Sequence, residues 1–186
     1  MELVHDWGFG VVWGVFALVW ISKSRGTNET TSGEPFASRL VHLGLLAAGF
    51  VLIFAKGLPG VRLVPGSDAL FFTGLAVAAA GVAFMIWARY HLGLYWSGAI
   101  TLKEGHKLIR TGPYRFVRHP IYTGFVLAVA GSALSTGDLR GLVAIALVAG
   151  AYIRKIRLEE RWLAQQFGEE YRQFQAEVNA LVPFVW

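Results

Sequence analysis

The chain has 186 residues, of which 55% are hydrophobic and only 16% charged, with a formal net charge of +5 and no cysteine. A soluble domain carries about 25% charged residues, so this composition, with a mean hydropathy of +0.50, excludes an ordinary soluble globule, intrinsic disorder and fibrous repeats, and puts the membrane class first. The lack of cysteine excludes disulfide scaffolds, thiolate-ligated metal centres and thiol nucleophiles, and in so apolar a chain the positive charge is read as flanking membrane spans, not as binding nucleic acid.

Five long uncharged stretches follow one another: 7 to 22, 40 to 55, 69 to 88, 119 to 137 and 141 to 153. A full crossing takes about 20 helical residues, which Ala69 to Ala88 supplies alone and the first two stretches approach with their flanks. Glu2 and Asp6 stand where a signal peptide would be basic, and no small-residue cleavage site follows, so the first span is expected to be retained. Gly26 to Pro35 reads as a short polar loop. The third span ends at Arg89, followed by Tyr90, His91, Tyr95 and Trp96. Snorkelling of Arg89 to the interface explains it as well as a catalytic role does. His42 and His91 are isolated and are expected to be packing residues; no His, Asp and Glu set has ligand spacing, and no metal is predicted.

The densest polar region runs from Lys103 to Gly124 and feeds directly into the fourth span. Pro120 suits the first turn of that helix, and His119 before it is biased away from helical geometry, which places its imidazole at a helix N-terminus. Lys and Arg alone would make a loop for anionic headgroups. Gly112, Pro113, Tyr114 and the His119-Pro120 pair specify turns and fixed side-chain directions, which such a loop does not need. Leu134 to Leu139 is the only connection to the fifth stretch, so the last two spans form a tight hairpin. Gly141 to Ile153 is short for a crossing and would lean on Arg140 and Arg154 as snorkelling ends. Next come Lys155, Arg157, Glu159, Glu160 and Arg161. Lys155 and Glu159, four apart, can pair on a helix surface for under about 0.5 kcal/mol, while adjacent carboxylates diverge by about 100°, which leaves one free for a ligand ammonium or ribose hydroxyl. From Leu158 an amphipathic helix is predicted, with Leu163, Phe167, Tyr171, Phe174 and Val178 as its apolar stripe. Pro183 ends the pattern, and Phe184 and Trp186 suit interfacial anchoring.

Of the 17 Lys and Arg residues, all but Lys56, Arg62 and Arg140 fall on one side if the N-terminus is outside. The expectation is an all-α integral membrane protein of five transmembrane helices, N-terminus out and C-terminus cytoplasmic, with a cytoplasmic C-terminal amphipathic helix. Residues 1–186 form one membrane domain, with 1–88 a three-helix part and 89–186 the half that carries the chemistry. Gly8-Phe9-Gly10 follows no strand and is not a dinucleotide fingerprint, and there is neither a P-loop nor a GxSxG.

The ordered series Leu108-Ile109-Arg110-Thr111-Gly112-Pro113-Tyr114, Arg118-His119-Pro120-Ile121-Tyr122-Thr123-Gly124 and Glu159-Glu160 with Phe167-Gly168 and Tyr171 resembles the isoprenylcysteine carboxyl methyltransferase family, from about Ala88 to Pro183. Phospholipid N-methyltransferases share the Arg-His-Pro and Glu-Glu elements, and certain membrane sterol reductases share the broader organisation. The resemblance implies S-adenosylmethionine bound on the cytoplasmic side, with His106, Leu108, Gly112, Tyr114, His119, Tyr122, Glu159 and Glu160 as cofactor-site candidates and Arg89, Arg118 and Arg157 as candidates for orienting an anionic substrate. Their chemistry agrees: a carboxylate suits His119, an ammonium or ribose suits Glu159 or Glu160, and an adenine suits Tyr and Leu.

The expected activity is methyl transfer to a lipophilic acceptor, in a prokaryotic inner membrane. This chain is shorter than the eukaryotic members in its N-terminal part, which leaves a carboxylate, thiol, phenol or amine acceptor equally open. A membrane NADPH-dependent reductase and a non-catalytic lipid-binding adaptor are the alternatives, distinguished by nicotinamide binding and by salt-sensitive lipid attachment. The partners expected are membrane lipids and a lipophilic substrate, without nucleic acid or metal.

Overall fold

The computed structural model describes residues 2–22, 30–33, 35–93, 101–103 and 108–183. Its elements are α1 (Glu2–Ser22), β1 (Thr30–Gly33), α2 (Phe36–Phe54), α3 (Asp68–Leu92), β2 (Thr101–Lys103), a 3-10 helix (Gly112–Arg115), α4 (Pro120–Thr136), α5 (Leu139–Phe167) and α6 (Glu169–Glu177). Among the described residues the regular elements are helices apart from β1 and β2, which pair antiparallel, so part of the expected polar loop at 26–35 is a strand. Residues 26–29 and 34 of that loop lie outside the described residues, as do Tyr95, Trp96, His106, Phe184 and Trp186.

Among the described residues, α2 and α3 are long and apolar enough to cross a membrane, and Trp7–Ser22 and α4 are shorter apolar helices. The core forms where α3 and α4 meet. Gly74 and Gly81 of α3 face Gly131 and Gly124 of α4 so closely that a Cβ on Gly81 would lie 2.5 Å from the Ala128 nitrogen and one on Gly131 2.4 Å from the Ala78 nitrogen. Small residues at these spacings let two backbones touch, and fully buried Ala78, Met85, Ala128 and Val129 fill the seam. Around it, α1 contributes Trp13, whose indole donates to Ser132 Oγ at 3.1 Å and whose ring packs edge-on against Phe50 and Phe125.

One end of the bundle is closed by the turn between α4 and α5. Gly137 takes the left-handed conformation at φ 59°, where only glycine is unstrained, and its carbonyl accepts from the amides of Leu63 and Val64. Asp138 caps α5 through the Arg140 amide at 2.9 Å, and Arg140 donates to the Leu58 carbonyl at 2.9 Å. The start of α1 lies at this end too, since Phe9 packs on Phe71 and Phe54.

The short fifth stretch is part of a longer element than the sequence suggests. Helix α5 runs unbroken for 29 residues from Leu139 through the charged run, ends at Gly168 with φ 55°, and restarts as the nine-residue α6. The predicted C-terminal amphipathic helix is therefore divided between the end of α5 and α6. Tyr171 and Phe174 of its apolar stripe are buried. Charge does not stop α5 because its charged groups find partners: Arg154 donates to Ser38 Oγ at 2.6 Å at the start of α2.

Candidate functional site

At the end opposite the closed turn, four segments meet. His119 caps α4 with φ −122° and ψ 60°, outside helical geometry, and Pro120 occupies the first helical position, as pre-proline sterics demand. Upstream, the 3-10 helix starts at Gly112, where φ is 59° and a Cβ would lie 2.6 Å from the His91 ring. His91 in turn hydrogen-bonds Thr111 Oγ1 at 2.8 Å through Nε2, so it packs and ties, as expected of it; His42 likewise packs edge-on against Tyr152. Because α5 runs back along α4 and past its start, Glu159 and Glu160 arrive beside His119. The chain after α6 then lies across the same place. The amides of Arg118 and His119 donate to the carbonyls of Asn179 and Ala180 at 2.8 and 3.0 Å, and Thr123 Oγ1 donates to the Leu181 carbonyl at 2.8 Å.

The two adjacent carboxylates have different partners. Glu159 Oε2 accepts from the Tyr122 hydroxyl at 2.8 Å and lies 3.8 Å from His119 Nδ1. Glu160 Oε1 accepts from Arg118 Nε at 2.8 Å and from His119 Nε2 at 3.1 Å, and its Oε2 accepts from Gln175 Nε2 at 3.1 Å. A carboxylate only accepts, so Nε2 carries a proton here. The Arg118 guanidinium also donates to the carbonyls of Gln175 and Val178. Tyr122 lies parallel to His119, with ring centroids 5.5 Å apart, and stacks on Tyr152 at 4.7 Å. Lys155, 6% exposed, holds its ammonium 5.7 Å from the Tyr122 ring centre.

Burial raises the Glu160 carboxyl pKa, but the hydrogen bonds and charges of His119 and Arg118 outweigh it and bring it down to about 2 from an ordinary 4.5. Burial, helped by Glu159, raises the Tyr114 hydroxyl, and burial raises that of Tyr171. The Glu160 shift has a pH signature. A carboxyl that is more acidic folded than unfolded stabilises the fold fully above its unfolded pKa of 4.5, and the contribution fades as the pH falls toward 2. Its size is on the order of 3 kcal/mol. The difference in unfolding midpoint between wild type and Glu160→Gln, measured in detergent, should be constant from pH 7 to about pH 5 and shrink on further acidification.

Of the residues the sequence singled out, Arg118, His119, Tyr122, Glu159 and Glu160 form this contiguous polar cluster. Tyr114 is buried close enough to both Glu159 and Arg89 to feel their charges. Gly112 begins the adjoining 3-10 helix, and Leu108 is half-buried ahead of it. Arg89, 3% exposed, donates to the Gly93 carbonyl at 2.9 Å. Arg157 is exposed, and its carbonyl accepts from Arg161. His106 lies outside the described residues. Two participants were not anticipated, Gln175 and the backbone of 178–181. Gln175 follows the buried Tyr171 by four residues, a spacing that puts both on one helix face and could have revealed it.

Residues 69–170 match the model of the phospholipid methyltransferase family, more than half of the chain. A probable protein-S-isoprenylcysteine O-methyltransferase of Oryza sativa subsp. indica is 35% identical over 112 residues, which are 60% of this chain and 53% of that protein. Methanethiol S-methyltransferase 1 of Bradyrhizobium diazoefficiens is 44% identical over 72 residues, 38% of this chain and 24% of that protein. The chain thus spans about half the length, or less, of these relatives. Its fold is similar to the structure of the eukaryotic intramembrane Ras methyltransferase, isoprenylcysteine carboxyl methyltransferase, with a TM-score of 0.55 at 20% identity over 83% of this chain and 55% of that one.

Proposed function

The chain belongs to the phospholipid methyltransferase family, and from that premise we propose that it is an integral membrane S-adenosylmethionine-dependent methyltransferase acting on a lipophilic acceptor at the cytoplasmic membrane face. The observation that carries the reading is the meeting of His119, Tyr122 and Glu159 at the start of α4, directly below which α3 and α4 are apolar. A charged, water-soluble donor and a greasy acceptor need such a border.

The residues fit the donor. Glu159 has a side chain 29% exposed and an oxygen that accepts no hydrogen bond among the described residues, which suits an ammonium or a ribose hydroxyl. His119 is the candidate for the donor's carboxylate, and Leu108, Gly112 and Tyr114 are the candidates for the apolar side that an adenine requires. S-adenosylmethionine supplies a methyl group on a cationic sulfonium, and its transfer to a carboxylate or thiolate removes two opposite charges, which a water-poor site favours. The Tyr122 hydroxyl holds Glu159 in place, and Pro113 and Tyr114 in the adjoining 3-10 helix are buried. Arg89, Arg118 and Arg157 remain the candidates for orienting an anionic acceptor, and of these Arg118 is engaged by Glu160. With a carboxylate or thiolate no general base is needed, and alignment alone supplies roughly 7 to 11 kcal/mol.

Helices α1 to α5 would cross a prokaryotic inner membrane, N-terminus out, with exposed Trp7, Val11, Leu18, Leu43, Val51 and Leu142 facing lipid. In support, Arg62 and Arg140 sit at the closed end, away from the site and the strongly basic segments near it.

Purified protein should bind S-adenosylhomocysteine in a calorimetric titration, and Glu159→Gln and His119→Ala should each weaken binding at least about tenfold, or about 1.4 kcal/mol. Unchanged affinity in both, or binding of a nicotinamide cofactor instead, would overturn the reading. A panel of lipophilic acids, thiols, phenols and amines with methyl-labelled donor then identifies the acceptor.

A further inference from the structure

We propose that the two adjacent carboxylates divide their work: Glu159 faces the ligand, whereas Glu160 is a positioning residue that, with Arg118 and Gln175, docks the C-terminal segment onto the start of α4. The division rests on the methyl-donor reading only for the identity of the ligand; the docking itself is a property of the free protein. Both oxygens of Glu160 are occupied from within the chain, Oε1 by Arg118 at 2.7 to 2.8 Å and by His119 at 3.1 Å, and Oε2 by Gln175 at 3.1 Å. Its side chain is 17% exposed against 29% for Glu159, whose one hydrogen-bond partner among the described residues is the Tyr122 hydroxyl. The three groups around Glu160 and the carboxylate itself bring three places together: Arg118 and His119 precede α4, Glu160 is on α5, and Gln175 is on α6.

The same contact tethers residues 178–181, a strap laid across the start of α4. The Arg118 guanidinium, held by Glu160, reaches the carbonyls of Gln175 and Val178, and the next residues, Asn179 and Ala180, take the amides of Arg118 and His119. Those two amides precede the first helical turn and have no intrahelical partner, so their protection from solvent depends on the strap. They also sit beside the imidazole that would meet the ligand. Glu160 therefore shapes the site through His119 and the strap without touching what binds there.

Hydrogen exchange of the ligand-free protein in detergent, read at the Arg118 and His119 amides, tests this together with S-adenosylhomocysteine titrations. Glu159→Gln should leave exchange at the wild-type rate and weaken binding at least about tenfold. Glu160→Gln should speed exchange of both amides at least about tenfold, since it removes the charge that anchors Arg118. The double variant Glu160→Gln/Gln175→Glu keeps one carboxylate and one amide in contact and leaves the charge within reach of Arg118. It should bring both exchange and affinity back to within about threefold of wild type, which a mere loss of stability would not do. Wild-type exchange in Glu160→Gln overturns the docking role. Restored exchange without restored affinity overturns the division, because it would mean that the ligand needs the carboxylate at position 160. If the wild type binds no S-adenosylhomocysteine, the functional reading fails, and the exchange rates still decide the docking role.

Discussion

Gly131→Val should prevent the protein from folding, as judged by loss of a monodisperse species in detergent and of a cooperative thermal transition. The Cβ would lie 2.4 Å from the Ala78 nitrogen and 2.5 Å from the Gly74 carbonyl oxygen. Both are backbone atoms, which cannot swing away as a side chain can, so α3 and α4 would have to separate along the seam. Separation opens the packing of Met85, Ala128 and Val129, each 1% exposed or less, and the cost exceeds the roughly 1 to 3 kcal/mol of ordinary overpacking. Gly81→Leu should act alike, against the Ala128 nitrogen at 2.5 Å. Gly150→Ala provides the contrast. Nothing lies within 4 Å of a Cβ there, so the change should be neutral or stabilise α5 by up to about 1 kcal/mol.

Arg118→Ala should be the most damaging loss of a single polar group, about 3 to 5 kcal/mol in thermal unfolding. It leaves the Glu160 carboxylate, 17% exposed, with His119 and Gln175 alone, and removes the donor from the carbonyls of Gln175 and Val178. Much of that cost is the desolvated charge left behind, so Arg118→Leu/Glu160→Leu should recover a large part of it. Arg172→Ala is the control. Its pair with Glu169 is 67% and 75% exposed, and its removal should cost less than about 0.5 kcal/mol.

The sequence disclosed what depends on side-chain type at local spacing. The helix start at Pro120, with His119 outside it, follows from proline sterics alone, and the hairpin of α4 and α5 from the shortness of Leu134 to Leu139. The convergence of residues 111–122 with Glu159 and Glu160 at one end was also legible, because alternating spans return every second loop to the same side. Less visible was the course of α5. Charges at Arg154 to Arg161 suggested an end to the span, yet a helix is broken by backbone conformation, and the first residue that supplies one is Gly168 at φ 55°. The strap at 178–181 was hidden for another reason. It is held through its own backbone carbonyls, which every residue has, so no pattern of its side chains announces it. Among side chains, Gln175 was hidden by being neutral, since only its neighbours make it important.

The turn at Gly137 and Asp138 sets more than the direction of the chain. Counting outward from it, Tyr122 and Tyr152 stand at nearly the same height on the two arms, and their rings stack; closer to the turn, Ala133 and Gly141 do the same. Because the arms are continuous helices, the turn acts as a ruler whose zero mark fixes where Glu159 stops relative to Tyr122. One residue inserted there would slide α5 by about 1.5 Å and rotate it by about 100°, carrying both carboxylates off target without altering a single residue near them.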